Sequence, residues 1–325
     1  MSKPQITIVG LGLIGNSIGL ALMQGERSFE IVGHDKEPTA ASQAKKMKAV
    51  DRTEWNLIAA CEGADLLILA LPLPAIEETL RAVARDLKPG CVVMDTASLK
   101  APALAWAAAL LPDSSTYIAT NPIVFSQERG GAAARADLFQ RATWAICPTA
   151  ATAEAAVKTA ADLISRVGAR PLFLEPAEHD SMLAAVEHLP ALLGSALMAS
   201  VAGQPAWREM RQLAGSQFES ATHGIADAAS VLADLAVYNR ENLSRWIDLF
   251  VETLRGWQEA MVAGDRERLA GAVADADAQH SRWLQQRAAG RWEETTEGEM
   301  PTSRSIYSSL LFGRLFERKP PGSRR

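Results

Sequence analysis

The residues with the clearest chemical purpose stand near the start of the chain, in the loop Gly10-Leu11-Gly12-Leu13-Ile14-Gly15. Glycines at this spacing suit a phosphate cradle. Gly10 permits a tight turn, Gly12 lets the backbone approach a pyrophosphate, and Gly15 lets a helix pack closely on a strand. Gln5–Val9 before the loop reads as a strand and Asn16–Met23 after it as a helix. The helix start then offers free N–H groups and a positive dipole end to the phosphates. Asp35 stands at the end of the next apolar run, where a carboxylate accepts hydrogen bonds from ribose hydroxyls and repels a 2′-phosphate. Only Lys36 stands beside it to compensate, so NAD is favoured over NADP. The expected cofactor-binding set is Gly10, Gly12, Leu13, Ile14, Gly15 and Asp35, joined by Leu71, Pro72 and Thr96 at the ends of later strands.

Other chemistries find little support. The three cysteines, Cys61, Cys91 and Cys147, are far apart and odd in number, and none stands in a Cys-x-x-Cys or Cys/His cluster. Reduced thiols are expected, with no disulfide framework and no metal. The formal net charge of −5 gives no electrostatic case for nucleic acid. The chain runs directly into its first strand without a signal-peptide pattern. Its apolar runs, such as Leu66 to Pro74, are far short of a bilayer span. A cytoplasmic protein without membrane attachment is expected.

The elements that must position the loop alternate in type. Ile6–Val9, Glu30–His34, Asp65–Leu71 and Cys91–Asp95 are near-continuous apolar runs of the kind that form parallel strands buried on both faces. Thr116–Ala119, Thr143–Cys147 and Pro171–Leu174 are further strand candidates. Between them lie helical patterns such as Ile76–Leu87, stopped by Lys88-Pro89-Gly90. This alternation predicts an α/β Rossmann-type doubly wound sheet over residues 1–175. From 176 to 290 the sequence is Ala/Leu-rich with helical periodicity, and Gly203-Gln204-Pro205, Gly224 and Gly264 are the expected breaks. That segment predicts an all-α substrate and dimerisation domain. Residues 291–325 form a charged tail with one apolar patch, Ile306 to Phe316, and a basic end.

A second set of motifs is more specific. Asp95-Thr96-Ala97-Ser98-Leu99-Lys100 follows a strand. Thr120-Asn121-Pro122-Ile123, Arg135-Ala136-Asp137-Leu138-Phe139 and Ala142-Thr143-Trp144-Ala145-Ile146-Cys147-Pro148 come next, then Glu178-His179-Asp180 and Glu187-His188-Leu189-Pro190. In order and spacing, over roughly residues 5 to 260, the chain resembles the prephenate/arogenate dehydrogenases of tyrosine biosynthesis. The resemblance implies a Rossmann domain, a helical domain that forms a homodimer, and hydride transfer to NAD(P) with loss of carbon dioxide. It also implies a small-molecule substrate near Ser98.

Three positions depart from the family pattern. A histidine bonded to the substrate hydroxyl is replaced by Asn121, in what is expected to be a loop. The second histidine of a His-Leu-Pro-His motif is Ala191. An arginine that grips a substrate carboxylate is His223, at the end of Phe218-Glu219-Ser220-Ala221-Thr222-His223. An asparagine donates a hydrogen bond but takes no proton at neutral pH, and a general base typically contributes ~10²–10⁴-fold. Slow turnover on prephenate is therefore expected unless another residue serves as base, and two alternatives stay open: a same-fold dehydrogenase or reductase with a different substrate, and a non-catalytic dinucleotide-binding protein. His188 is the sequence's nearest alternative, so Asn121, Ser98 and His188 form the expected catalytic set and His223 the expected substrate contact. His179-Asp180 reads as a helix cap. Trp207, Trp246, Trp257 and Trp283 read as core or interface anchors, and Arg240 and Arg245 as surface cations.

Overall fold

The computed structural model describes residues 3–125, 130–222 and 229–290. His223, Gly224, the apolar patch near residue 310 and the basic end lie outside them. Two compact units divide the chain, Met1–Arg255 and Gly256–Arg325.

The first unit is built on eight strands: β1 (Gln5–Val9), β2 (Glu30–His34), β3 (Arg52–Thr53), β4 (Leu66–Leu69), β5 (Val92–Asp95), β6 (Thr116–Ile123), β7 (Thr143–Cys147) and β8 (Arg170–Phe173). Their order across the sheet is β3-β2-β1-β4-β5-β6-β7-β8. The first six give the doubly wound order of a dinucleotide-binding sheet, with the topological switch between β1 and β4. All neighbours run parallel except β6 and β7.

Strand side chains alternate between two cores, as the pleat demands. Leu66 and Ile68 join Ile8, Ile18 and Ile118 on one face. Leu67 and Leu69 join Ile76, Leu80 and Val93 on the other. This explains why the strands read as continuous apolar runs. The helices that cover the sheet are α1 (Leu13–Leu22), α2 (Pro38–Lys46), α3 (Leu57–Cys61), α4 (Leu73–Val83), α5 (Ala101–Leu110) and α6 (Glu154–Arg166).

β6 extends four residues past its expected end, to Ile123. Its pairing with β5 stops at Met94↔Ile118, while pairing with β7 begins at Ala119↔Cys147 and reaches Ile123↔Thr143. From Ala119 onward β6 has a partner on one side only, which is why Pro122 is tolerated. Asn121 therefore stands in a strand, not in a loop.

Beyond β8 the chain is helical: α7 (Pro176–Leu183), a single π-type turn (Ala184–His188), α8 (Leu189–Ala202), α9 (Trp207–Leu213), α10 (Ser216–Thr222), α11 (Ala229–Tyr238), α12 (Arg240–Ala263) and α13 (Arg266–Ala289). The run Pro176–Ala202 is long and apolar enough, by length and composition, to cross a bilayer. It nevertheless carries buried His179, Asp180 and His188. In α8 only Leu189 and Gly194 are buried despite its apolar sequence. Trp246 donates from Nε1 to the Ser181 carbonyl at 3.2 Å, and Arg245 donates to Ser181 Oγ at 2.7 Å.

In the second unit α12 ends at a left-handed Gly264 (φ 67°), and Asp265 caps α13 by accepting from the Arg268 N–H at 3.0 Å. Met261, Val262, Val273 and Trp283 are exposed there.

Candidate active site

The glycine loop lies at the switch point. Gly10 takes a left-handed φ of 94°, and a Cβ there would meet the Ala70 carbonyl oxygen at 2.3 Å and the Leu71 side chain at 3.0 Å. A Cβ on Gly15 would meet Gly10 O at 1.9 Å. Both positions are closed to any larger residue. Gly12 is the opposite case, since nothing lies within 4 Å of a Cβ built on it. The loop is thus open on this face, with room for a phosphate to approach its backbone. Gly12 caps α1 without a side-chain hydrogen bond, and the first turn of α1 carries no acidic residue. The N–H groups at that end are left for an anion. Asp35 Oδ2 accepts from the Leu11 N–H at 2.7 Å and Oδ1 from the Glu37 N–H at 2.8 Å. Each oxygen keeps a lone pair for ribose hydroxyls, so the residues present fit a nicotinamide dinucleotide. Leu71 and Pro72 follow β4, and Thr96 follows β5, with its N–H donating to Leu69 O at 3.2 Å.

A second buried polar system lies at the carboxyl ends of β5 and β6. Lys100, wholly buried, donates from Nζ to Asp95 Oδ2 at 2.5 Å and to the Thr120 carbonyl at 2.5 Å. Asp95 Oδ1 accepts from the Thr120 N–H at 2.9 Å. Trp144 donates from Nε1 to Thr120 Oγ1 at 3.0 Å. Thr120 is therefore held from three sides, and the next residue, Asn121, is set in a fixed position. The Asn121 side chain, 4% exposed, meets His179 Nε2 through Nδ2 at 3.2 Å. His179 Nδ1 meets Asp180 Oδ1 at 2.9 Å. Asp180 also accepts from the Lys100 and Ala101 N–H groups.

His179-Asp180 is thus not a cap of its own helix, whose N-cap is Glu175. Asp180 caps α5 from outside, and His179 forms a chain with Asn121. The sequence alone reads this pair as a cap and gives Lys100 no role. The available signal is the Asp95/Lys100 spacing inside the motif that also carries Ser98.

His188 closes the π-type turn and is 1% exposed. Asn239 Nδ2, which also donates to the Asp180 carbonyl at 2.8 Å, lies 3.4 Å from His188 Nδ1. His188 Nε2 has no partner among the described residues. Burial lowers the His188 pKa to about 4, so the ring is neutral. With Nδ1 accepting from Asn239, Nε2 carries the proton and is a donor. Ser98 is half-buried between Asp95 and Lys100. Arg240 and Arg245 are exposed. The three cysteines are free and buried, with burial pushing Cys61 and Cys147 up to about 12 and Cys91 to about 11. They remain thiols.

The sheet order and glycine loop define a Rossmann-type nucleotide-binding protein with a helical second part. Residues 18–172 match the family model "Prephenate dehydrogenase, nucleotide-binding domain", and residues 175–274 match "Prephenate dehydrogenase, dimerization domain". A probable prephenate dehydrogenase from Streptomyces niveus is 31% identical over 310 residues, covering 89% of this chain and 79% of that protein. A cyclohexadienyl dehydrogenase from Zymomonas mobilis is 28% identical over 267 residues, covering 81% of this chain and 90% of that protein. The fold is also that of a prephenate dehydrogenase from A. aeolicus solved with hydroxyphenyl propionate and NAD+: TM-score 0.80, 21% identity, covering 87% of this chain and 99% of that one. The chain belongs to the prephenate dehydrogenase family. The nucleotide-binding match begins at residue 18, so the glycine loop is identified by its own residues and geometry.

Proposed function

We propose that the protein is an NAD-dependent oxidoreductase that oxidises prephenate or its amino analogue arogenate, with loss of carbon dioxide. The observation that carries this reading is the buried chain from Asn121 through His179 to Asp180, at the strand ends beside a dinucleotide loop. Family membership supplies the substrate class. Bound NAD would supply the hydride acceptor. Gly10, Gly12, Leu13, Ile14 and Gly15 would hold its pyrophosphate and Asp35 its ribose, with Leu71, Pro72 and Thr96 along the same crevice. The carboxylate of Asp35 disfavours the 2′-phosphate of NADP. Ser98 and Asn121 would face the substrate hydroxyl, His188 would offer its Nε2–H in the cleft, and His223 would meet a substrate carboxylate.

The working assembly is a cytoplasmic homodimer formed through the helical segment 176–290, with residues 1–175 as the nucleotide domain. The match to a dimerization domain and the uncovered apolar length of α8 support this. Obligate interfaces of this kind bury on the order of 2,000 Å² or more. The polar groups buried in Pro176–Ala202 support a domain helix over a membrane span. A second reading, a related alcohol substrate, is favoured by Asn121 and Ala191, which change the family's substrate side. NADH formation from prephenate and from arogenate, with NAD and NADP compared, tests both readings. Turnover on neither acid, with NAD bound, favours the second. Sedimentation as a monomer at micromolar concentration refutes the dimer.

A further inference from the structure

Asn121 cannot take a proton, yet oxidation of an alcohol by hydride loss releases one. The structure puts a histidine directly behind it. The Asn121 amide donates to His179 Nε2 at 3.2 Å, the long end of the hydrogen-bond range. The other ring nitrogen, Nδ1, donates to Asp180 Oδ1 at 2.9 Å. That arrangement fixes the tautomer, with the proton on Nδ1 and the lone pair on Nε2 aimed toward Asn121. Asp180 cannot drift, because backbone N–H groups of Lys100 and Ala101 hold both its oxygens at 2.8 Å. An imidazole with one nitrogen free to accept and the other held by a buried carboxylate is the arrangement of a general base with its orienting partner.

We propose that His179, held by Asp180, is the proton acceptor of the reaction, and that Asn121 presents the substrate hydroxyl to it. This rests on the reading of the protein as an oxidising enzyme of a cyclohexadienol acid. The hydroxyl replaces the Asn121 amide on Nε2, and the freed amide donates to the same oxygen as charge develops there. The carbinol C–H pair leaves as hydride to NAD, and the O–H proton goes to His179 Nε2. The ring carboxylate departs as carbon dioxide. Its bonding pair makes the ring aromatic, the carbonyl oxygen becomes a phenol oxygen, and His179 returns the proton to it.

The other candidate base is differently disposed. His188 has its Nδ1 lone pair engaged by Asn239, which leaves Nε2 as a donor. Among the described residues, Asp180 on the same helix and His188 on the π-type turn interact with His179, and Lys100, whose backbone N–H meets Asp180, has its Nζ closed on Asp95. Lys100 and Asp95 are closed on each other, so their charges are balanced within the pair.

The test is steady-state kinetics of the full-length protein with NAD and prephenate or arogenate, as a function of pH. His179→Gln is expected to lower kcat by ~10²–10⁴-fold, with KM and NAD affinity little changed and the acid limb of the wild-type pH profile gone. Adding Asn121→His to that variant should restore at least about tenfold, within the contribution of a general base. Wild-type turnover that persists in His179→Gln with the same pH profile overturns the assignment alone. No wild-type turnover on either acid overturns the functional reading and the assignment with it. A measurement that needs no variant is the ¹⁵N spectrum of the histidines in the wild-type enzyme. It should show His179 protonated on Nδ1 and bare on Nε2, and the opposite tautomer overturns the proposal.

Discussion

Asp180 holds the start of a helix 80 residues away: its two carboxylate oxygens accept from the backbone N–H groups of Lys100 and Ala101 at 2.8 Å each. One side chain thus ties α7 to α5 while it also orients His179.

Removing that carboxylate should be costly. Asp180→Ala leaves two helix-start N–H groups and a buried imidazole N–H without their acceptor. An N-cap loss costs ~0.5–2 kcal/mol and a buried unsatisfied donor about 1–3. A loss on the order of 3 kcal/mol is expected in urea unfolding, and about half of that for Asp180→Asn, which keeps one acceptor. Equal stability of Asp180→Ala and wild type would show that Asp180 does not carry the junction.

Lys100 and Asp95 form a pair in which both side chains are wholly buried. Breaking such a pair from one side strands a charge, at a cost of ~3–5 kcal/mol. Lys100→Met should therefore destabilise strongly, and Lys100→Met with Asp95→Asn should recover part of the loss. A double variant no more stable than Lys100→Met argues that Asp95 matters for its contacts to Thr120 and not for charge.

Asp35 has two tasks, holding the Leu11 N–H and facing the ribose. Asp35→Ala should weaken NAD binding much more than NADP binding, because it removes a charge repelled by a group of about −1.5 to −2. Fluorescence titration with both cofactors reads the ratio. Equal loss for the two would mean the carboxylate acts only on the loop.

His188 sets a pH dependence of stability. Its folded pKa lies near 4, below the ordinary 6.5, because burial disfavours the charged ring. Between those values the unfolded chain binds the proton and the folded one does not. Stability from this group is full above pH 6.5, falls as pH drops toward 4, and levels off below that. The change is on the order of 3 kcal/mol. Wild type minus His188→Gln, measured by urea unfolding across this window, should show that slope. A flat difference would mean that His188 takes up a proton freely in the native state.

The sheet was legible because each strand is buried on both faces, and Ile6–Val9, Glu30–His34 and Thr143–Cys147 coincide closely with β1, β2 and β7. The glycine loop was legible because close backbone packing demands glycine at Gly10 and Gly15. The path of β6 was not, since Pro122 reads as a strand end unless one knows that β5 has already stopped pairing. The polar chain was also hidden. Asn121, His179 and Lys100 are spread over three elements, and only the tertiary fold brings them into one hydrogen-bonded system, Lys100 through Asp180 and Thr120. Asp180 read as a cap, which it is, but of a helix that sequence proximity gave no reason to consider. His223 lies outside the described residues.

The π-type turn Ala184–His188 gives this helical run one residue more than a regular helix would use over the same path. Position along such a run is an angle, about 100° per residue. His188 therefore meets Asn239 because of a count as well as its own ring, and not because of the side chains of Ala185 or Val186. Substitutions at Ala185 or Val186 can keep that angle, whereas a single-residue deletion would send every later side chain, Leu189 included, to a new direction. In a lineage of related chains Ala185 and Val186 should vary in letters, while the stretch should hardly change in length.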